Sequence, residues 1–139
     1  MKKLCVLLVM MIVFAAVVQA QDRQLLRVTV PFSFTADNSV LPAGAYTVSL
    51  LNPSNFLCIQ SLDGRHVAII PWLASQKSHL PQESALIFDR IDGQLFLRSI
   101  EEQDTSVERD VLLGKQARQL IAKSHDQHGH SGSVMISAR

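Results

Sequence analysis

Apolar and polar side chains alternate along several short stretches of the chain, which is the pattern of β-strands with one buried face. In residues 27–34, Val28, Val30, Phe32 and Phe34 share one face, and the intervening side chains point to the other. A period of two, or a short apolar run bounded by turn residues, predicts further strands over residues 45–51, 56–62, 65–73, 85–91, 94–100 and 134–138.

Two Asp-Gly pairs, Asp63-Gly64 and Asp92-Gly93, each separate two neighbouring predicted strands. Asp-Gly is a strong signal for a type I′ hairpin turn, since both central residues of that turn need a positive φ. Two such hairpins predict an antiparallel meander. The sequence therefore predicts a mainly all-β fold, an antiparallel β-sandwich or partly open barrel of six or seven strands with one C-terminal helix.

The alternation gives way to helical spacing after residue 100. Thr105-Ser106-Val107-Glu108 has the spacing of a capping box, and apolar residues then recur at steps of three and four. These features predict a helix over about residues 105–123. Gly114 falls in its middle, where glycine costs about 1 kcal/mol relative to alanine. Residues 124–133 are rich in His, Ser and Gly and are predicted to form a loop.

The beginning of the chain has the pattern of a secretory signal. Lys2 and Lys3 precede an unbroken apolar run over residues 4–18, and small residues close that run. The run is shorter than the roughly 20 residues that a spanning helix needs. We therefore expect residues 1–20 to be a signal peptide and residues 21–139 to be a single exported β domain, periplasmic or extracellular, without a transmembrane segment in the mature chain.

Composition limits the classes of function. The full chain carries 13 Lys plus Arg against 12 Asp plus Glu, and loss of Lys2 and Lys3 leaves 11 against 12, a net charge of −1. A nearly neutral chain without a basic patch does not predict nucleic-acid binding. With Cys5 in the leader, Cys58 has no partner for an internal disulfide, and its apolar strand predicts a buried, unreactive thiol.

Metal-capable side chains concentrate near the C-terminus, at His125, His128 and His130. Imidazoles at this spacing on a loop can converge on one metal ion. The alternative is a solvated linker, because a selective metal site also needs partners that hold its ligands in place. No other cofactor is predicted.

Two further groups carry candidate chemistry. His66 and Asp63 flank a turn and are an acid–base pair in principle, but catalysis also needs a nucleophile within hydrogen-bond reach. Glu101, Glu102 and Asp104 match neither a calcium loop nor the fixed carboxylate pair of a glycosidase. This acidic group is better explained as a solvated approach to the positive N-terminus of the predicted helix.

The aromatic side chains admit two interpretations. Trp72, Tyr46 and the phenylalanines can line a ligand pocket, or they can fill the core. A chain with one Trp and one Tyr is poorly supplied for a carbohydrate platform, which favours the core.

Two blocks of sequence resemble a known group of proteins. Val-Thr-Val-Pro-Phe-Ser-Phe at residues 28–34 precedes Leu-Pro-Ala-Gly-Ala-Tyr-Thr-Val at residues 41–48, and residues 86–90 with 95–97 form a second block. These blocks are similar to those of small exported bacterial β-rich proteins that have no assigned function. The resemblance covers most of residues 28–100. It implies a secreted β domain, and it transfers no site residues.

Taken together, these features predict an exported, non-enzymatic β domain that acts as a binding or envelope-associated module, with a protein or a cell-envelope component as its partner. Two alternatives stay open. One is a metal-binding protein that uses the His-rich C-terminal loop, and the other is a small hydrolase whose site is assembled from scattered residues.

Overall fold

The structure is a computed structural model that describes residues 22–51, 55–124 and 132–138. The predicted signal peptide and the three histidines near the C-terminus lie outside these residues. The described part contains ten strands and one helix: β1 (Arg23–Val30), β2 (Phe34–Ala36), β3 (Ser39–Leu41), β4 (Gly44–Leu51), β5 (Phe56–Ser61), β6 (Val67–Gln76), β7 (Ala85–Ile91), β8 (Gln94–Glu101), β9 (Val107–Val111), α1 (Lys115–Ser124) and β10 (Gly132–Ser137). The mainly β class with a C-terminal helix is confirmed, with ten strands in place of six or seven.

Strand β6 belongs to two sheets. Its first half pairs with β5 as far as Pro71, opposite Phe56, and its second half pairs with β9 from Trp72, opposite Val111. The change of partner occurs at a proline, which has no N–H to give to a ladder. The first sheet has the order β1-β4-β5-β6 and the second the order β6-β9-β8-β7-β10, with β2 and β3 attached to β8.

The two sheets do not close into a barrel. In the described residues, β1 and β10 contact each other but form no ladder, so each keeps a free edge. The meander prediction holds for β4-β5-β6 and for β7-β8-β9. The strand that pairs with β6 is β9, the last strand of the second meander, and not its first strand β7. Strand β2 pairs with β8 in parallel, with Thr35 opposite Phe96.

The predicted helix over residues 105–123 is wrong in its first half. Residues Val107–Val111 form strand β9, and the helix begins at Lys115. The apparent capping box fails because Glu108 is opposite Glu101 in the sheet and accepts a hydrogen bond from Ser99. Pairing on both sides with β6 and β8 overrides the local helical spacing. At the other end, the predicted strand 134–138 is confirmed as β10, which also takes Gly132 and Ser133 from the predicted loop.

The two Asp-Gly turns differ in geometry. Asp92 and Gly93 have φ values of 50° and 75°, as a two-residue type I′ turn requires. At the other hairpin only Gly64 of the pair has a positive φ, 71°, and its N–H donates to the carbonyl of Ser61 at 2.9 Å. The hairpin prediction is therefore confirmed at both places, but the type I′ geometry is confirmed only at the second.

Aromatic side chains form much of the core, as the sequence favours. Phe34 contacts Tyr46 and Phe88 edge to face, with ring centroids 5.4 and 5.2 Å apart. Trp72 is only half-buried at the margin of this core. A smaller cluster on the other side of the second sheet joins Ala117 of α1 to Ile91 and Phe96. Within the described ranges, no helix has the length and apolar character to cross a membrane.

Candidate functional site

A half-open cleft of about 410 Å³ lies where the turn before β4 meets the β5–β6 turn. We call it the turn cleft; residues 42–46, 61–63 and 66 line it. The ladder between β4 and β5 places Tyr46 opposite Ser61, and this register brings the two turns to the same end of the first sheet. The cleft is therefore lined by the Pro-Ala-Gly-Ala-Tyr part of the segment on which the sequence resemblance rests.

Tyr46 forms the floor of the turn cleft. Its side chain is 1 % exposed, and its hydroxyl donates a 2.5 Å hydrogen bond to the carbonyl of Pro42. This bond holds the Pro-Ala-Gly turn across the ring. Burial, together with the nearby negative charge of Asp63, raises the pKa of Tyr46. The hydroxyl is thus protonated at neutral pH and already committed to a backbone acceptor.

Asp63 supplies the charge at the rim of the turn cleft. Its Oδ1 accepts hydrogen bonds from the Ser61 hydroxyl at 2.5 Å and from the Arg65 backbone N–H at 3.1 Å. These bonds, led by that from Ser61, lower the pKa of Asp63 because they favour the ionised form. Its Oδ2 lies 3.9 Å from Nε of the exposed Arg65 side chain. The rim therefore presents a carboxylate whose position is fixed by its own turn.

Ser61, Asp63 and His66 lie together but are not arranged as a catalytic triad. The Ser61 hydroxyl donates to Asp63 and accepts a 2.9 Å hydrogen bond from the backbone N–H of His66. An activated serine instead needs an imidazole nitrogen as its base. The structure thus brings the predicted pair His66 and Asp63 to one rim, where their contacts with Ser61 hold the turn in shape.

A second cleft of about 320 Å³, the seam cleft, adjoins the first between β1 and β10. Arg27, Val28 and Thr29 of β1 line it together with Ser137 of β10. Ala45 and Leu62 line both clefts, and Leu62 is 49 % exposed. The combined groove has the Asp63 carboxylate in the turn cleft, the exposed residue Arg27 in the seam cleft, and the apolar Ala45 and Leu62 where the two clefts meet.

The acidic group predicted at residues 101–104 is not a solvated helix approach. Glu101 is 7 % exposed and contacts Nζ of Lys77, which also lies 3.6 Å from a carboxylate oxygen of Glu108. Glu102 is half-buried in ion pairs, and Asp104 is exposed with a φ of 58°. The prediction failed because β8 ends here and no helix begins.

Sequence reasoning missed Lys77 and Glu108 because only the pairing of β6, β8 and β9 brings them beside Glu101. In the sequence, Lys77 is a single charge in a polar stretch, and the spacing of Glu108 indicates a capping box instead. In the part of the chain that the structure describes, no group of three or more His, Cys, Asp or Glu side chains is arranged to hold a metal ion. His125, His128 and His130 lie outside that part, so the metal site stays a prediction.

Cys58 is half-buried on β5 and forms no disulfide within the described residues. Burial, followed by the negative charge of Asp22, raises the pKa of its thiol. The thiol is therefore protonated at neutral pH and a poor nucleophile. The expected low reactivity agrees with this direction, although the side chain is less buried than its apolar neighbours indicate.

Comparison of the chain with protein-family models, with curated proteins and with solved structures found no match. The resemblance to exported bacterial β-rich proteins therefore stays a prediction, and the groove is the feature of the molecule that indicates a function.

Proposed function

We propose that this chain is an exported, non-enzymatic binding module, periplasmic or extracellular, whose ligand occupies the turn cleft and the seam cleft together. The observation that carries the proposal is the groove itself, with fixed Asp63 in the turn cleft, Arg27 in the seam cleft and Leu62 where the two clefts meet. Concave sites with an apolar lining and a few placed polar groups are typical of ligand binding.

The state of the polar groups favours binding over catalysis. Ser61 and Tyr46 are the hydroxyls at the turn cleft, and both donate to acceptors within the protein at 2.5 Å. Asp63 is held ionised by the hydrogen bonds of its own turn, which suits it to accept donors from a ligand. Fixing these groups before the ligand arrives reduces the entropy lost on binding.

The charges define the class of ligand. A cationic or hydrogen-bond-donating group pairs with Asp63, an anionic group pairs with Arg27, and a short apolar portion contacts Leu62 and Ala45. A peptide segment with unlike charges at its two ends has this chemistry, which fits a protein or cell-envelope partner.

The test is a titration of the mature domain, labelled with nitrogen-15, with short peptides that carry a free amino end and a free carboxyl end. We expect saturable shifts of the backbone amide signals of Ala45, Leu62 and His66. Asp63→Asn and Arg27→Gln should each weaken binding about tenfold, the loss expected for a hydrogen bond to a charged group.

Asp92→Asn is the matched control, since Asp92 precedes glycine in the other hairpin and lies away from the groove. It should leave the affinity unchanged. Shifts spread over the whole surface, or equal affinities for Asp63→Asn, Arg27→Gln and the unaltered domain, would contradict the proposed site.

A further inference from the structure

A second feature, independent of the groove, lies inside the second sheet at Arg109. Strand β9 places Arg109 opposite Ala74 on β6 and opposite Ile100 on β8. Because facing residues in a ladder share a side, the Arg109 side chain projects on the same side as the core residues Ile100 and Val111. Arg109 is 6 % exposed, so a guanidinium that cannot lose its charge is buried at the margin of an apolar core.

Arg109 stacks on the indole of Trp72, with its guanidinium carbon 5.4 Å from the ring centroid. Three nitrogen atoms of this pair are buried and have no acceptor among the described residues: Nε1 of Trp72, and Nε and Nη1 of Arg109. The remaining nitrogen of Arg109, Nη2, lies 3.1 Å from Oε2 of Glu102. That ion pair is not aligned as a hydrogen bond, since Oε2 itself has no hydrogen-bond donor.

Arg109 does not have a carboxylate partner to itself. Glu102 is shared, because its Oε1 also accepts a 2.6 Å hydrogen bond from Arg23. Two guanidinium groups thus face one carboxylate, and Arg23, at 60 % side-chain exposure, already has water as a partner. Arg109 is therefore a buried cation whose carboxylate partner is shared with a second arginine. Leaving buried donors unpaired destabilises the fold, most of all when the donor is charged.

We propose that Trp72 and Arg109 form a binding position for a small oxyanion, a carboxylate or a phosphate group. Such an anion gives the unpaired N–H groups an acceptor and provides Arg109 with an unshared counter-charge. The position is separate from the proposed ligand groove. The turn cleft lies at the Gly44 end of β4, whereas the β4–β5–β6 register puts Trp72 at the other end, where its backbone N–H donates to the carbonyl of Asn55.

The chain contains a single tryptophan, so its fluorescence reports directly on the proposed position. The mature domain is titrated with sodium acetate and, separately, with sodium phosphate, each at constant ionic strength maintained with sodium chloride. We expect a saturable change in Trp72 emission. Saturation by acetate alone assigns the position to carboxylates, saturation by phosphate alone assigns it to phosphates, and saturation by both assigns it to oxyanions in general.

Arg109→Lys keeps the positive charge but removes the guanidinium N–H groups, and it should weaken binding about tenfold or more. Arg98→Lys is the matched control on the adjacent strand, where Arg98 is 3.7 Å from Asp89, and it should bind as the unaltered domain does. Glu102→Gln removes the competing carboxylate and should tighten binding by up to about fivefold.

Glu102→Gln keeps the proposal testable if Arg109→Lys fails to fold, because a purely structural ion pair predicts no gain in anion affinity. Emission that responds to acetate, phosphate and chloride alike, without saturation, would mean that water alone satisfies these N–H groups, and it would overturn the proposal. Weaker binding by Glu102→Gln would also overturn it. None of these outcomes depends on the peptide titration of the groove.

Discussion

The substitution Gly114→Ala distinguishes the observed structure from a helix over the same residues, because the two predict changes of opposite sign in the free energy of unfolding. If residues 105–123 formed one helix, alanine at position 114 would stabilise the protein by about 1 kcal/mol. In the structure, Gly114 is instead the residue before α1, and its carbonyl accepts the 3.2 Å hydrogen bond from the backbone N–H of Arg118. The turn between β2 and β3 packs directly against it.

A side chain at position 114 has no space. Its Cβ would lie 2.5 Å from the carbonyl carbon of Asp37 and 2.7 Å from Oδ1 of Asn38, and it would be closer still to the carbonyl oxygen of Asp37. Relief requires backbone movement, and overpacking of this kind costs about 1 to 3 kcal/mol or more. Movement of Asn38 also endangers the 3.1 Å hydrogen bond from the Lys115 backbone N–H to its Oδ1, a cap of about 1 kcal/mol.

We therefore expect Gly114→Ala to lower the free energy of unfolding by about 3 kcal/mol, which corresponds to a fall in Tm of roughly 10 °C. Urea unfolding followed by circular dichroism measures the change. Gly132→Ala is the matched control, since nothing lies within 4 Å of a Cβ there, and it should leave stability almost unchanged. Equal or greater stability of Gly114→Ala would refute the packing of the β2–β3 turn on the start of α1.

Three further predictions concern other parts of the molecule. The exported protein should begin at Gln21, and mass spectrometry of the secreted or periplasmic fraction checks this; retention of the leader would contradict it. If the metal alternative is correct, zinc or copper should bind the unaltered protein and should not bind a variant with alanine at His125, His128 and His130. Equal, negligible binding by both proteins would reject that alternative. Asp63 has a lowered pKa in the folded state, so the stability it contributes is present above its ordinary pKa of 3.8 and is lost as the pH falls through the folded value. The difference in unfolding free energy between the unaltered domain and Asp63→Asn should accordingly shrink on acidification, and a constant difference from neutral pH to pH 3.8 and below would count against these hydrogen bonds.

The parts of the fold that the sequence predicted are those set by local physics. Alternation fixes which side chains of a strand share a face, and Val28, Val30 and Phe34 are all buried as their spacing predicts. The type I′ turn at Asp92-Gly93 is likewise decided within two residues. By contrast, the Ser61 hydroxyl bonds Asp63 and stabilises a wider turn at the matching pair, and nothing in the two letters Asp-Gly distinguishes these outcomes.

The helix predicted over residues 105–123 is wrong in its first half because the prediction used only neighbouring residues, whereas the conformation there is decided by pairing with distant strands. Val107–Val111 has apolar ends and a charged middle, which suits one helical turn as well as it suits a short strand. The strand forms because β6 and β8 each offer an edge with which β9 pairs. The same insertion buries Glu108 and Arg109, which a helix would have left in water.

The proposed oxyanion position depends on that non-local step. Trp72 and Arg109 are distant in the sequence, and they meet because β6 leaves β5 at Pro71 and takes β9 as its next partner. A shift of one residue in the β6–β9 register would turn Trp72 to the opposite face of the sheet and separate the two side chains. The change of partner from β5 to β9 thus also places a charged guanidinium beside an indole at the edge of the core. A buried arginine whose carboxylate partner is shared is costly without a further anion. We therefore expect a change that disrupts the pairing of β6 with β9 to abolish anion binding at this position as well.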